Sequence, residues 1–326
     1  MAPLLDVRGL KKHFLVTRTL SEVVTGKRPA VRAVDGLDFT IDQGESVGLL
    51  GESGCGKTTT GRLLLKLVAP TSGSIVFGGR DIATLEGEDL RAFRRSATLV
   101  FQNPFEALNP RFNVYRAIAE PLVNAKIPRA EHRGRIVDAM RRVHLADVDL
   151  HFDKFPHQMS GGQLQRVVLA RALVLGPTFI VADEPVSMLD VSVRAGILNV
   201  MREVRDAMGL TAVYISHDLA LVRYVCHRTI VMYLGKVVED GPTEEVVRRP
   251  QHPYTQALVK AVPVPHVSQS HAPLPITGNV PDAKNPPSGC RFRDRCPHAM
   301  PRCASEEPPL REIAPAHLAA CHLLAA

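Results

Sequence analysis

The residues of this chain best able to do chemistry fall into four short strings. GESGCGKT at Gly51–Thr58 fits the pattern G-x-x-x-x-G-K-S/T, in which glycines let the backbone wrap a phosphate with its N–H groups pointing inward. Lys57 would reach the β- and γ-phosphates of a nucleotide, and the Thr58 hydroxyl would ligate Mg²⁺. FIVADEP at Phe179–Pro185 ends an apolar run in two adjacent carboxylates. Burying that pair costs free energy unless a metal and a substrate need it. Asp183 is therefore expected to hold Mg²⁺, directly or through water, and Glu184 to polarise an attacking water. MSGGQ at Met159–Gln163 puts Ser160, Gly161 and Gly162 just ahead of a helical pattern, a second helix N-terminus open to a phosphate. His217 in YISHD follows a strand edge; a lone histidine is more often a surface or core residue, but the Ser-His-Asp setting favours a functional one.

Patterning shows which elements must position these residues. LLDVRGLKKHF and AVDGLDFTIDQGESVGLLG alternate apolar and polar residues across glycine turns. That predicts an antiparallel β layer ending in a buried strand at Ser46–Leu50, which feeds the phosphate loop. A basic insertion at Thr17–Arg32 reads as a surface loop. A helix is expected from Lys57 through GRLLLKLV to a stop at Ala69-Pro70. From about Pro104 to Met159 the periodicity is helical, and LQRVVLARALVLG continues it to Gly176-Pro177. Strands at Phe179–Ala182, Thr211–Ile215 and Arg228–Tyr233 then alternate with helices, including one at Val193–Met208, as in a parallel α/β core. Beyond Pro250 the composition turns proline-rich, with 14 of the 25 prolines between Pro250 and Pro315, so a loop-rich extension is expected there.

Bulk properties narrow the class. The chain has 326 residues, 45% of them hydrophobic and 22% charged, enough for a packed core. No apolar run approaches the roughly 18 residues needed to span a bilayer, and the N-terminal MAPLLDVRGLKKHF breaks any signal-like stretch with charges. A cytosolic chain whose membrane role comes through a partner is expected. The net charge of +7 is spread along the chain, and clusters such as Arg91–Arg95 and Arg141–Arg142 read as solvated helix faces, so no direct nucleic-acid contact is expected. Six cysteines in such a compartment argue against a disulfide framework. Cys55 needs only its backbone in the phosphate loop, and Cys226 reads as a small buried side chain.

The four strings together resemble the nucleotide-binding subunit of an ABC transporter, over roughly residues 4–260. The resemblance implies an α/β fold: a P-loop (RecA-like) ABC nucleotide-binding domain with an antiparallel β layer, a helical insert at about 104–163 and a loop-rich C-terminal extension. The ATPase domain would span 1–250 and the extension 251–326. It implies ATP hydrolysis with Mg²⁺. Gly51, Glu52, Ser53, Gly54, Cys55, Gly56, Lys57, Thr58 and Thr59 would line the ATP. Gln102 in VFQNP matches a loop that senses Mg²⁺ and the membrane partner, joining Thr58 and Asp183 at the metal. Ser160, Gly161, Gly162 and Gln163 would reach the γ-phosphate held by a second ATPase subunit, and His217 would hold that phosphate in its own chain. SMLD at Ser187–Asp190 matches the loop between subunits. Met159 and Met188 depart from the usual Leu and Ala. Phe14 is the candidate for stacking on adenine, or else a core residue.

Finer strings resemble the F-type ATPase of oligopeptide/dipeptide permeases: AVDGLDF, VFQNPFEALNPR, PTFIVADEPVSMLDVSVRAGILN, QHPYTQAL and the cysteine-bearing tail. The resemblance implies an importer of peptides built on two membrane permease subunits, a paralogous D-type ATPase and an extracytoplasmic substrate-binding protein. The protein would sit peripherally on the cytoplasmic face of the cell membrane. Importers of nickel complexes or sugars, and non-transport ABC ATPases acting on nucleic acid or ribosomes, share the same loops.

Cys290, Cys296, Cys303 and Cys321 are spaced C-x5-C-x6-C-x17-C in the tail. Too little apolar material surrounds them to make a core, and a bound metal would supply cross-links. Zinc favours pairs two to four residues apart, whereas iron–sulfur clusters accept more varied spacing. The resemblance implies a 4Fe-4S cluster. A zinc site using His298, His317 or His322, or no metal at all, are the other possibilities.

Overall fold

The computed structural model describes residues 2–16, 30–262, 276, 278–279 and 281–324. The chain packs as two compact units, Met1–Ile41 with Val47–Ala83 and Ser216–Ala326, and Asp42–Ser46 with Thr84–Ile215. The described part of the proline-rich extension thus belongs to the unit that carries the phosphate loop.

In the first unit, β1 (Leu5–Leu15), β2 (Ala30–Ile41), β4 (Ser72–Phe77) and β5 (Arg80–Asp81) form an antiparallel layer in the order β2-β1-β4-β5. Of the insertion expected at Thr17–Arg32, residues 17–29 lie outside the described residues, and 30–32 extend β2. β3 (Ser46–Leu50) is buried at all five positions, as a strand covered on both faces must be. It runs parallel to β9 (Arg228–Tyr233), which pairs antiparallel with β10 (Lys236–Pro242). The extension continues this sheet through β12 (His317–Ala319) on β10 and β11 (Arg311–Ala314) on β12. A buried carboxylate ties these pieces together. Glu239 on β10 is fully buried and accepts hydrogen bonds from the N–H groups of Gln251 and His252, each at 2.9 Å, with His317 Nε2 at 2.8 Å.

The helix that follows the phosphate loop spans Lys57–Leu64, shorter than the pattern predicts. Lys66 turns left-handed at φ 51°, and Leu67 N–H reaches back to Arg62 O at 2.9 Å, a closing geometry that satisfies the last carbonyls and ends the helix.

In the second unit, β6 (Ala97–Val100), β7 (Phe179–Asp183) and β8 (Thr211–Ser216) run parallel in the order β8-β7-β6. The expected helical insert is present as helices Pro104–Ala107, Val114–Asn124, Arg129–Arg142 and Val148–Phe152. A helix at Gly161–Leu173 precedes β7, and one at Val191–Met208 lies between β7 and β8. The latter buries Ile197, Leu198, Val200, Met201 and Val204, and stops at Gly209 with φ 60°, a left-handed cap that glycine takes without steric cost.

Candidate functional site

The phosphate loop is seated on backbone. A Cβ on Gly51 would lie 2.3 Å from Met232 O, and one on Gly56 2.1 Å from Ala33 O, with φ of 155° and 106°. Only glycine fits either place. Gly235 N–H donates to Cys55 O at 2.9 Å, tying the loop to the β9–β10 turn. Lys57 is buried, and its ammonium caps the loop's own carbonyls, Gly51 O at 2.6 Å and Glu52 O at 2.9 Å. Ser53 and Gly54 are exposed at the tip, and Thr58 and Thr59 are half-buried on the first helical turn. Burial pushes the Cys55 thiol up, so it stays protonated and inert beside Lys57.

Two other first-unit candidates are placed separately. Phe14 lies on β1, 42% exposed, with Lys12 Nζ 5.0 Å above its ring; it is not a core residue. His217 is exposed between Ser216 and Asp218, and the Asp218 carboxylate caps the next helix by accepting from Ala220 N at 2.8 Å and Leu221 N at 3.3 Å.

In the second unit the structure brings Gln102 and Glu184 together. Gln102 Nε2 donates to Glu184 Oε2 at 2.9 Å, with Ser187 Oγ at 3.4 Å. Glu184 takes φ 45° immediately after Asp183 ends β7. A left-handed backbone is uncommon for a residue with a side chain, and such strain concentrates at functional sites. The turn is fixed by Glu184 N–H donating to Ile215 O at 2.9 Å and Ser187 Oγ to Glu184 O at 3.1 Å. Arg194 holds the loop beyond through Leu189 O at 2.7 Å and Ser187 O at 3.3 Å, leaving Met188 63% exposed.

MSGGQ forms a complete helix cap. Ser160 Oγ accepts from Gln163 N–H at 3.3 Å, and Gln163 Oε1 accepts from Ser160 N–H at 3.1 Å, the reciprocal box that satisfies two end donors. A Cβ on Gly162 would lie 2.7 Å from Val193, so this helix start packs against the start of Val191–Met208. Met159 is buried, and the larger family difference at Met188 faces outward.

No sequence pattern points to the grip on Glu52. Tyr254 Oη accepts from Glu52 N–H at 2.8 Å, and Arg295 holds the Glu52 carboxylate with both arms at 2.6 and 3.0 Å. QHPYTQAL is legible as a family string, but nothing local says where its tyrosine points.

In the tail, Cys303 is buried and Cys290, Cys296 and Cys321 are half-buried. Burial, reinforced by the neighbouring Cys303, Cys321 and Cys296, pushes the Cys290 thiol up to about 11. The four sulfurs therefore share one neighbourhood. Even so, no three His, Cys, Asp or Glu side chains among the described residues are arranged to hold a metal ion. His317 Nε2 is bonded to Glu239, and His322 Nε2 lies 3.0 Å from Glu306 O.

The sequence matches the ABC transporter family over residues 34–187 and the C-terminal region of oligopeptide/dipeptide transporters over residues 238–303. A putative peptide import ATP-binding protein of Brucella ovis is 45% identical over 320 residues, 98% of this chain and 97% of that one. The chain belongs to the oligopeptide/dipeptide ABC transporter ATPase family. The oligopeptide transport ATP-binding protein AppF of Bacillus subtilis is 43% identical over 326 residues, covering 98% of this chain and 97% of AppF. Among solved structures, cbiO1 of Clostridium perfringens, part of an ABC transporter complex, aligns with TM-score 0.65 at 28% identity, over 76% of this chain and 92% of that one. The ATP-binding cassette MJ0796, solved as a dimer bound to ADP and Pi, aligns at 0.63 and 26%, over 73% of this chain and 98% of that one. The α/β P-loop ABC fold expected from the four strings is the one present, and as a family member the protein is an ATPase. Among the described residues no helix is long and apolar enough to cross a membrane.

Proposed function

We propose that this ABC ATPase energises peptide import, as one of two ATPases under a pair of membrane permeases. The observation that carries it is the Gln102–Glu184 contact at the end of β7, which links a candidate partner-facing loop directly to the candidate base. The names of the full-length relatives, peptide and oligopeptide import proteins, supply the substrate class.

ATP would lie with its β- and γ-phosphates on the loop from Gly51 to Thr58, against Lys57, and with adenine on Phe14. The hydroxyl of Thr58, the carboxylate of Asp183 and the amide oxygen of Gln102 would hold Mg²⁺, a cation that prefers oxygen donors. Glu184 would take a proton from the attacking water as the γ-phosphorus–oxygen bond to ADP breaks. Lys57 would balance charge on the departing phosphate, and His217 would hold the γ-phosphate. Ser160, Gly161, Gly162 and Gln163 would complete the site of a second ATPase, a D-type paralogue. The capped, positive start of helix Gly161–Leu173 supports that role.

A groove of about 490 Å³ beside Gln102 is lined by Phe101, Thr98, Leu99 and the arginines 91, 94, 95 and 171. It would receive a short permease helix, and Gln102 would pass its docking to Glu184. The protein would then be peripheral on the cytoplasmic face of the membrane, with an extracytoplasmic binding protein delivering peptides. We divide its roles at residue 250, ATPase before and four-cysteine extension after. The tail would carry a 4Fe-4S cluster with a structural role, a reading supported by four thiols in one neighbourhood, although their present arrangement is not a ligand set. No catalytic step runs through it.

Glu184→Gln keeps the side chain's size and its contact with Gln102 but removes the accepting charge. It should bind ATP, lose at least about 99% of turnover and run as a trapped dimer with its ATPase partner when ATP is added. Turnover near that of the parent protein would refute Glu184 as the base.

A further inference from the structure

The C-terminal extension reaches the phosphate loop at Glu52. Glu52, second in the loop, is held on three sides. Its N–H goes to Tyr254 Oη at 2.8 Å, its carboxylate to both arms of Arg295 at 2.6 and 3.0 Å, and its carbonyl to Lys57 Nζ at 2.9 Å. The same carbonyl closes the next turn by accepting Cys55 N–H at 3.3 Å. Where Glu52 sits therefore sets where the following amides sit.

The grip is rigid. The Arg295 side chain is 6% exposed, and its guanidinium lies 5.8 Å from the centre of the Tyr233 ring and 6.0 Å from that of Phe292. Tyr233, Tyr254 and Phe292 are fully buried and pack ring to ring at 4.7, 5.2 and 5.4 Å. A second arginine bolts the same segment down, since Arg291 bonds Leu234 O and the Asp35 carboxylate, both on the loop's unit. The two arginines sit next to Cys290 and Cys296, so the cysteine module and the grip on Glu52 are one piece of chain.

We infer that Arg295 and Tyr254 are positioning residues for ATP binding: by fixing Glu52 they hold the phosphate loop in its binding shape before nucleotide arrives. A bidentate arginine–carboxylate pair defines direction as well as distance, and a loop ordered in advance does not lose that freedom on binding. Both residues meet the loop at Glu52, and both act through it. Loss of the grip weakens ATP binding and raises KM while leaving turnover at saturating ATP nearly unchanged.

The inference rests on the nucleotide-binding reading of the loop, and the test separates the two. Full-length protein is titrated with a fluorescent ATP analogue, and KM and kcat are measured in the assembled ATPase pair. Arg295→Ala and Tyr254→Phe should each weaken binding about tenfold, with kcat changed less than about twofold, and Arg295→Lys should recover part of the loss. Glu52→Ala combined with Arg295→Ala should bind no worse than the weaker single variant, because both remove one contact. Unchanged binding in Tyr254→Phe and Arg295→Ala, or losses that multiply in the double variant, overturns the inference. Lys57→Ala is the control: if it leaves binding intact, the nucleotide reading of the loop fails first.

Discussion

Gly56 shows how little freedom single positions of this site have. Its φ is 106°, and an added Cβ would lie 2.1 Å from a backbone oxygen that cannot swing aside. Gly54 has φ 80° but open space where its Cβ would be. Alanine at Gly54 therefore adds only backbone strain, about 1 kcal/mol. Alanine at Gly56 adds a clash with Ala33 O and should cost at least about 2–3 kcal/mol in urea unfolding, with loss of ATP binding. Equal losses at the two sites would show that the contact with Ala33 does not matter. Glu184 carries the opposite logic. There a residue with a side chain holds φ 45°, and the strain is kept where its carboxylate must follow Asp183 and meet Gln102.

Among the elements, the short helix Pro253–Lys260 does more than pack. It is capped by His252, whose Nδ1 accepts Tyr254 N–H at 3.1 Å. The cap also orients Tyr254, whose hydroxyl takes Glu52 N–H. His252 is fully buried, and burial lowers its pKa to about 3, from 6.5. The folded protein thus keeps this ring neutral where the unfolded chain would protonate it. Its stabilising contribution is complete above pH 6.5 and is lost as pH falls from 6.5 toward 3, by up to about 1.4 kcal/mol per pH unit. Asparagine can accept the same N–H without titrating, so His252→Asn should flatten the dependence of unfolding free energy on pH between about 6.5 and 4. An unchanged slope would mean that other groups carry the acid sensitivity.

Taken as one molecule, the chain has its extension integrated with the ATPase rather than appended to it. β11 and β12 lengthen a sheet that contains β3, Glu239 gathers backbone from Gln251 and His252, and Arg291 and Arg295 reach the loop's unit. If a 4Fe-4S cluster cross-links the four cysteines, anaerobically purified protein should be coloured and contain about four irons per chain, and a chelator should expose the tail to protease. Colourless protein with stoichiometric zinc would replace the cluster with a zinc site.

Chemistry that is contiguous along the chain is legible without any fold. A phosphate loop needs a strand, glycines, a lysine and a helix in unbroken order, and Asp183-Glu184 needs an apolar strand before it. Each is a local rule about backbone shape and burial, so Gly51–Thr58 and Phe179–Pro185 suffice to read it. The pattern overextends the helix after the loop because its apolar run continues through Leu67 and Val68, while the left-handed turn at Lys66 leaves no mark in it. Which distant side chains meet is a matter of packing alone. Gln102 reaches Glu184 across 82 positions, Tyr254 reaches Glu52 across 202, and Arg295 reaches it across 243. An arginine or a tyrosine has the same local propensity whether it faces solvent or a carboxylate. Its partner is fixed by the packing of Tyr233, Tyr254 and Phe292 beneath it, which no short stretch of sequence encodes.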